Sequence, residues 1–196
     1  DGSYIPEEGA DTGIYIDYPG SATIENNIIN AGGNYGIFLS YSSSDTIIKN
    51  NRIHGHRRYG IANYNGDPLI ENNLIYGNSW EGIHSHNTYS QPVIRNNTIA
   101  WNIGSGSARG IGFGNGSRPK RLENNIIAYN GGTGIVLDSH NSLVLPWRVF
   151  HNCVYGNGND SSENIILDPD TTITQPPQFI NSAIYDFRLM AGSPCI

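Results

Sequence analysis

Apolar side chains recur along the chain in short bursts, with polar residues at alternate positions, as in Gly-Ile-Phe-Leu-Ser (36–40) and Thr-Ile-Ile-Lys-Asn (46–50). Alternation of this kind is the period of a half-buried strand, because successive side chains leave a strand on opposite faces. The bursts are cut by Gly, Asn, Ser and Pro, which favour bends. The 3.6-residue apolar spacing of an amphipathic helix is missing. The pattern predicts an all-β chain of many short strands.

The bursts are also periodic. An Ile-x-Asn-Asn-x-Ile unit begins at Ile24 and returns at Ile48, Ile70 and Ile94, and with Leu at Leu122. Its second asparagine falls at Asn27, Asn51, Asn73, Asn97 and Asn125, and Val-Phe-His-Asn-Cys supplies a sixth at Asn152. A Gly-Ile pair recurs at 13–14, 36–37, 60–61, 82–83, 110–111 and 134–135. Both markers advance in steps of 22 to 28 residues. Such a unit is too short for two helices but holds three short strands and their bends, which is one coil of a parallel β-helix. Coils stack at the strand spacing of roughly 4.8 Å, so equivalent positions become neighbours.

This spacing explains the asparagine pairs. Asparagine tolerates the left-handed backbone region better than any residue but glycine, and its amide both donates and accepts. Repeated at one bend, the side chains of Asn27, Asn51, Asn73, Asn97, Asn125 and Asn152 are expected to form a hydrogen-bonded ladder. The apolar positions Ile24, Ile48, Ile70, Ile94 and Leu122, and Ile29, Ile53, Ile75, Ile99 and Ile127, are expected to stack as aliphatic columns inside the coil. Just before each pair, Glu25, Lys49, Glu71, Arg95 and Glu123 alternate in sign and form an outward, register-setting column.

These Ile-x-Asn-Asn-x-Ile and Gly-Ile units resemble the right-handed parallel β-helix repeat family, the fold of pectate-lyase-like proteins, from about residue 13 to 157. The ending FINSAIYDFRLMAGSPCI resembles the closing segment of secreted bacterial and archaeal β-helix proteins. The expected fold is therefore a right-handed single-stranded parallel β-helix of about six to seven coils over 1–157. Residues 158–196 are expected to form a tail packing on or capping the last coils. The resemblance implies an extracellular or cell-surface location and allows for polysaccharide lyases, hydrolases, epimerases and non-catalytic surface modules. The clustered carboxylates for Ca²⁺ with a basic residue, the paired aspartates with Gly-His-Gly, and the Asp-Pro-His run of particular members do not occur here. No cofactor is expected; the resemblance leaves Ca²⁺ open, but no acidic cluster supports it.

Counting outward from each Gly-Ile glycine locates candidate chemistry. The first and third following residues should face inward. The second should face solvent (Tyr15, Phe38, Ala62, His84, Gly112, Val136), and so should the fourth (Asp17, Ser40, Tyr64, His86, Gly114, Asp138). His84 and His86 would then share one outer face, with Tyr64 one coil before and the bare floor of Gly112 and Gly114 one coil after. Tyr64, His84, His86 and Asp138 are the catalytic candidates. Tyr15, Phe38, Tyr64, His84 and His86 form a candidate sugar platform, since rings present flat faces to pyranoses, with Tyr41 beside them. The same residues also suit plain surface decoration or a protein contact. A metal at His84 and His86 would need further ligands; Glu81 is nearer than Asp138. Insertions at 102–110 and 140–149 bring Trp101, Arg109 and Trp147 as groove edges, with Trp147 expected over the core.

Charge removes several partners. Charged residues are 14% of the chain, net charge is −6 and the sequence pI is near 5.4. Lys and Arg are scattered, so neither a nucleic-acid footprint nor a polybasic membrane patch is present. No apolar run of about 20 residues is present to span a bilayer. Cys153 and Cys195 leave the redox compartment open, and whether they pair stays open too. The start, without Met or an apolar leader, is consistent with a removed signal peptide or a piece of a larger protein. The leading expectation is an extracellular module engaging polysaccharide or cell-surface glycan. The alternative is a structural, adhesion or fibre-forming protein that self-associates or joins flanking domains through an open first coil.

Overall fold

The computed structural model describes residues 11–30, 32–41, 45–88, 90–104, 108–138 and 146–196. The chain winds through three parallel sheets. The first contains Thr12–Ile16, Tyr35–Ser40, Tyr59–Tyr64, Ile83–His86, Ile111–Gly114, Thr133–Leu137 and Asn159–Ser161, in that order. The second contains Thr23–Glu25, Ile47–Lys49, Leu69–Glu71, Val93–Arg95 and Arg121–Glu123. The third contains Ile28–Ile29, Arg52–His54, Leu74–Tyr76, Thr98–Ala100, Ile126–Ala128 and Cys153–Tyr155. Each strand pairs in register with the strand one coil away, as Ile61 does with both Ile37 and Ile83. Six coils result, and a seventh begins at Asn159.

The expected columns are present. Ile48, Ile70 and Ile94 of the second sheet and Ile53, Ile75 and Ile99 of the third are fully buried, as are Ile37, Ile61, Ile83, Ile111 and Ile135 of the first. Each such side chain stabilises by about 1.5–3 kcal/mol. The Gly-Ile glycines are required by close approach. A Cβ on Gly60 would lie 2.7 Å from the Gly82 carbonyl oxygen and 2.7 Å from Ile75 Cγ2. Outside the second sheet, Lys49 Nζ meets Glu25 at 3.0 Å and Arg95 meets Glu71 at 2.8 Å, each pair one coil apart. Such exposed pairs contribute about 0.2–1 kcal/mol and chiefly favour register.

The paired asparagines divide two tasks between them. The first of each pair (Asn26, Asn50, Asn72, Asn96, Asn124) takes a left-handed φ of 55–59° and turns the corner between the second and third sheets. The second forms the ladder. Asn51 Nδ2 donates to Asn73 Oδ1 (3.1 Å), Asn73 to Asn97 (3.0 Å), Asn97 to Asn125 (3.0 Å) and Asn125 to Asn152 (3.0 Å), with Asn27 donating to Asn51 (3.1 Å) at the head. Each Oδ1 also accepts the backbone N–H of the preceding coil, as Asn97 does from Asn73 (2.9 Å). A second ladder runs five residues downstream, where Asn78, Asn102, Asn130 and Asn157 are linked at 2.9 Å. His56 occupies its first rung, donating its backbone N–H to Asn78 Oδ1 (3.1 Å). Sequence reasoning missed this second file, although the constant offset of five residues from each ladder asparagine reveals it.

The C-terminal region both continues the coils and packs on them. Residues beyond 157 extend the helix: Asn159–Ser161 pairs with Thr133–Leu137, Ile165–Leu167 pairs with Trp147–Val149, and Ile173 bridges to Cys153. The antiparallel hairpin Phe179–Asn181 and Asp186–Leu189 then lies sideways across the third sheet and does not cap the last coil. The reason is apolar surface. Val149, Val154 and Ile165 already close the far end of the core, whereas Tyr76, Ala100 and Trp101 on the third sheet need cover. Phe187 packs 5.1 Å from Tyr76 and 5.4 Å from Trp101, and Phe179 packs 5.7 Å from Trp101. Trp101 and Tyr129 hold φ of 49° and 57° where Gly55, Gly77 and Gly156 stand in other coils. Backbone strain of order 1–3 kcal/mol at each is offset by the rings that dock the tail. Cys153 and Cys195 are disulfide-bonded, with Cα atoms 5.8 Å apart, and tie the chain end to the sixth coil.

Candidate functional site

The outer face of the first sheet holds the candidate residues, in an arrangement that differs from strict alternation. The second-position column was expected in solvent. Instead Phe38 is 2% exposed and His84 8% exposed, and Ala62 and Val136 are buried too. Their cover comes from the residue before each glycine: Tyr35, Tyr59, Glu81 and Arg109. Counting back from the inward isoleucine puts this position inside. The register runs from Tyr35 to Ile37 with no partner at Gly36, and the residue ahead of the glycine emerges on the outer face. Large side chains from this column and from Tyr64 then lean over the second-position column.

The result is a continuous file of rings. Tyr15 stacks on Phe38 with centroids 5.6 Å apart, Phe38 on Tyr64 at 5.2 Å, and Tyr64 meets His86 at 5.2 Å and His84 at 5.8 Å. Beside it, Tyr35 meets Tyr59 at 5.7 Å, Tyr59 lies parallel to the His84 ring at 4.6 Å, and Trp80 packs edge-on against Tyr59. Arg58 sits over Trp80 at 4.8 Å and donates to the Tyr35 hydroxyl at 3.4 Å. Tyr15, Tyr64 and His86 keep surface open to solvent, whereas Phe38 and His84 support them from beneath.

At the next coils the face changes from rings to charge. Glu81 is 2% exposed, a position a carboxylate holds only when both oxygens are satisfied. Its Oε2 pairs with His84 Nδ1 at 2.6 Å and its Oε1 accepts from Arg109 Nη1 at 3.2 Å. The same Nη1 reaches Asp138 Oδ1 at 3.4 Å. The expected open floor is filled: the Glu81 carboxylate lies over Gly112, and a Cβ on Gly114 would stand 2.7 Å from His86 Nδ1. These two glycines therefore accommodate the side chains of the preceding coil. His86 Nδ1 is buried with no hydrogen-bond partner among the described residues.

Burial governs protonation here. It pushes the His86 pKa below the usual histidine value, helped by the neighbouring His84 and opposed by Asp138 and Glu81, so the ring is neutral at pH 7. Burial also pushes the Tyr59 and Tyr64 phenols upward, with Glu81 adding to both, so each keeps its proton and is a donor. The face thus offers a neutral imidazole, phenolic donors and flat rings. Asp138 joins the group through Arg109 and through its charge beside His86 over Gly114. Trp147 packs over the core at 5.7 Å from Phe113, Trp101 lies under the tail on the third sheet, and Tyr41 is exposed at the end of its strand. Among the described residues no group of three or more His, Cys, Asp or Glu side chains is placed to hold a metal ion.

Comparison with known proteins agrees with the coil geometry. A family model described as the right handed beta helix region matches residues 7–69 and 44–168. The chain belongs to that family. The right-handed β-helix accounts for the three-sheet coil, the ladders and the stacked core, and is carried by the repeat units themselves. No curated protein matches the chain, and no solved structure matches it. No helix among the described residues is long and apolar enough to cross a membrane.

Proposed function

We propose that this right-handed β-helix is an extracellular module that engages polysaccharide along the outer face of its first sheet. The observation carrying this reading is the file Tyr15, Phe38, Tyr64 and His86, with rings 5.2–5.6 Å apart and running along the solenoid axis. Rings repeating at that interval suit an extended glycan, whose sugars lie along the ridge of ring edges while the Tyr64 hydroxyl and His86 hydrogen-bond its hydroxyl groups. Tyr15, Tyr64 and His86 are the contacts; Phe38 and His84 hold them in position. The Cys153–Cys195 disulfide supports an oxidising, extracellular setting.

A glycan array probed with the wild type and with a Tyr64→Ala/His86→Ala double variant tests the reading. Binding by the wild type that falls at least about tenfold in the variant is expected, the loss of two hot-spot side chains. Absence of wild-type binding to any polysaccharide would sink it. A second reading, assembly through coil ends, is favoured by one observation. Because the tail lies on the third sheet, Asn159–Ser161 and Ile165–Leu167 each pair with a single strand among the described residues, which leaves an edge of the last coil for another strand. Electron microscopy of concentrated protein separates the two, since strictly monomeric particles contradict assembly.

A further inference from the structure

Three carboxylates, Asp17, Glu81 and Asp138, share the outer face of the first sheet with two guanidiniums, Arg58 and Arg109, among the described residues. Both cations are already engaged. Arg109 is divided between Glu81 and Asp138, at 3.2 and 3.4 Å, and Arg58 lies over the Trp80 ring with a hydrogen bond to Tyr35. A sugar carboxylate at this face would compete with Glu81 and Asp138 for the one Arg109 charge, and drawing Arg109 away from Glu81 would leave a 2%-exposed carboxylate with only His84 as partner. That rearrangement opposes binding, because a buried charge stripped of its partner costs more than a surface pair returns. Asp138, by contrast, is only partly covered, and its Oδ2, close to Gly114, accepts no hydrogen bond among the described residues, which leaves it an acceptor for hydroxyl or ammonium donors. His86 adds no positive charge at pH 7, because burial keeps its ring neutral.

Resting on the polysaccharide reading above, we infer that the face selects carboxylate-free glycans, neutral or amino-sugar polymers, and disfavours polyuronates. The physical reason is a net negative field with no uncommitted cation, so each uronate adds like-charge repulsion while each hydroxyl or ammonium finds an acceptor.

The test uses the intact protein and hexasaccharide probes of three kinds: neutral (cellohexaose, mannohexaose), amino-sugar (fully deacetylated chitohexaose) and uronate (hexagalacturonate), titrated by calorimetry at low and high salt. Uronate binding roughly tenfold weaker than the best neutral or amino-sugar probe is expected at low salt, with the gap narrowing as salt screens the face. Asp138→Asn, a surface change that leaves Glu81 paired, should narrow the low-salt gap by about threefold. Uronate binding as tight as, or tighter than, the other probes overturns the charge inference while leaving the binding face intact. So does a gap unmoved by salt and by Asp138→Asn. Failure of every probe to bind overturns the polysaccharide reading and this inference with it.

Discussion

The corner between the second and third sheets and the outer face of the first sheet are built on the same coils, yet they use repetition in opposite ways. At the corner, Asn51, Asn73, Asn97 and Asn125 do one job in every coil, each accepting and donating the same bonds at 2.9–3.1 Å. On the face, the equivalent positions hold Phe38, Ala62, His84 and Gly112 in succession, and no two coils make the same contacts. A stacked solenoid enforces identity where neighbouring coils must satisfy each other's buried polar groups. It allows divergence where side chains meet solvent or each other. Variation within a repeat therefore marks where function can be written.

The sharpest way to break this contrast is at the corner itself. Asn97→Ala removes the acceptor for the Asn73 N–H and amide, both buried, and the donor to Ile70 O. A loss of about 3–5 kcal/mol in urea unfolding is expected, from two or more orphaned groups at roughly 1–3 kcal/mol each. Its neighbour Asn96→Ala disturbs only a left-handed residue at the exposed surface and should cost about 1 kcal/mol, with Asn96→Gly near neutral. Equal costs at the two positions would mean that the ladder does not carry the corner's stability.

The face yields a smaller contrast. His84→Ala leaves buried Glu81 with Arg109 alone and should destabilise by about 2–3 kcal/mol. His86→Ala should cost under about 1 kcal/mol, since its Nδ1 has no partner to lose. Thermal melts of the two variants check the order; a larger loss for His86 would reverse the assignment of supporting and contacting rings.

The mildest test asks whether the second ladder tolerates its exception. Burial holds the His56 pKa below its ordinary value, and hydrogen bonds from its ring to the Ile29 and Gly33 backbones only partly oppose this. The unfolded chain therefore binds a proton that the folded state resists. Stability from this group is present above about pH 6.5 and is lost as pH falls toward the lowered folded pKa. His56→Asn, which extends the file of Asn78, Asn102 and Asn130 by one amide, should flatten this acid loss and leave neutral-pH stability within about 1 kcal/mol of wild type. Melting temperatures across that pH range measure it, and an unchanged acid slope would place the sensitivity elsewhere.

Much of this architecture is legible in the sequence. The spacing of Asn-Asn and Gly-Ile pairs gives the coil, the aliphatic columns and the first ladder, because a stack in register turns a period into a contact map. The candidate face was legible as a set of residues but not as a surface. His84 and Phe38 read as exposed by alternation, and only the folded coils show Tyr35, Tyr59, Glu81 and Arg109 leaning over them. The tail was recognisable as distinct, but its place was not, since nothing local says which surface Phe179 and Phe187 will cover.

Sequence alone determined the repeat, its inward columns and the left-handed corners, all of which follow from short-range periods and from what asparagine and glycine backbones permit. Tertiary structure alone decided the Glu81–His84–Arg109–Asp138 grouping, the lateral path of the tail and the Cys153–Cys195 bond. These join residues whose meeting depends on packing volume, burial of charge and the cover of exposed apolar rings, quantities that no single coil contains.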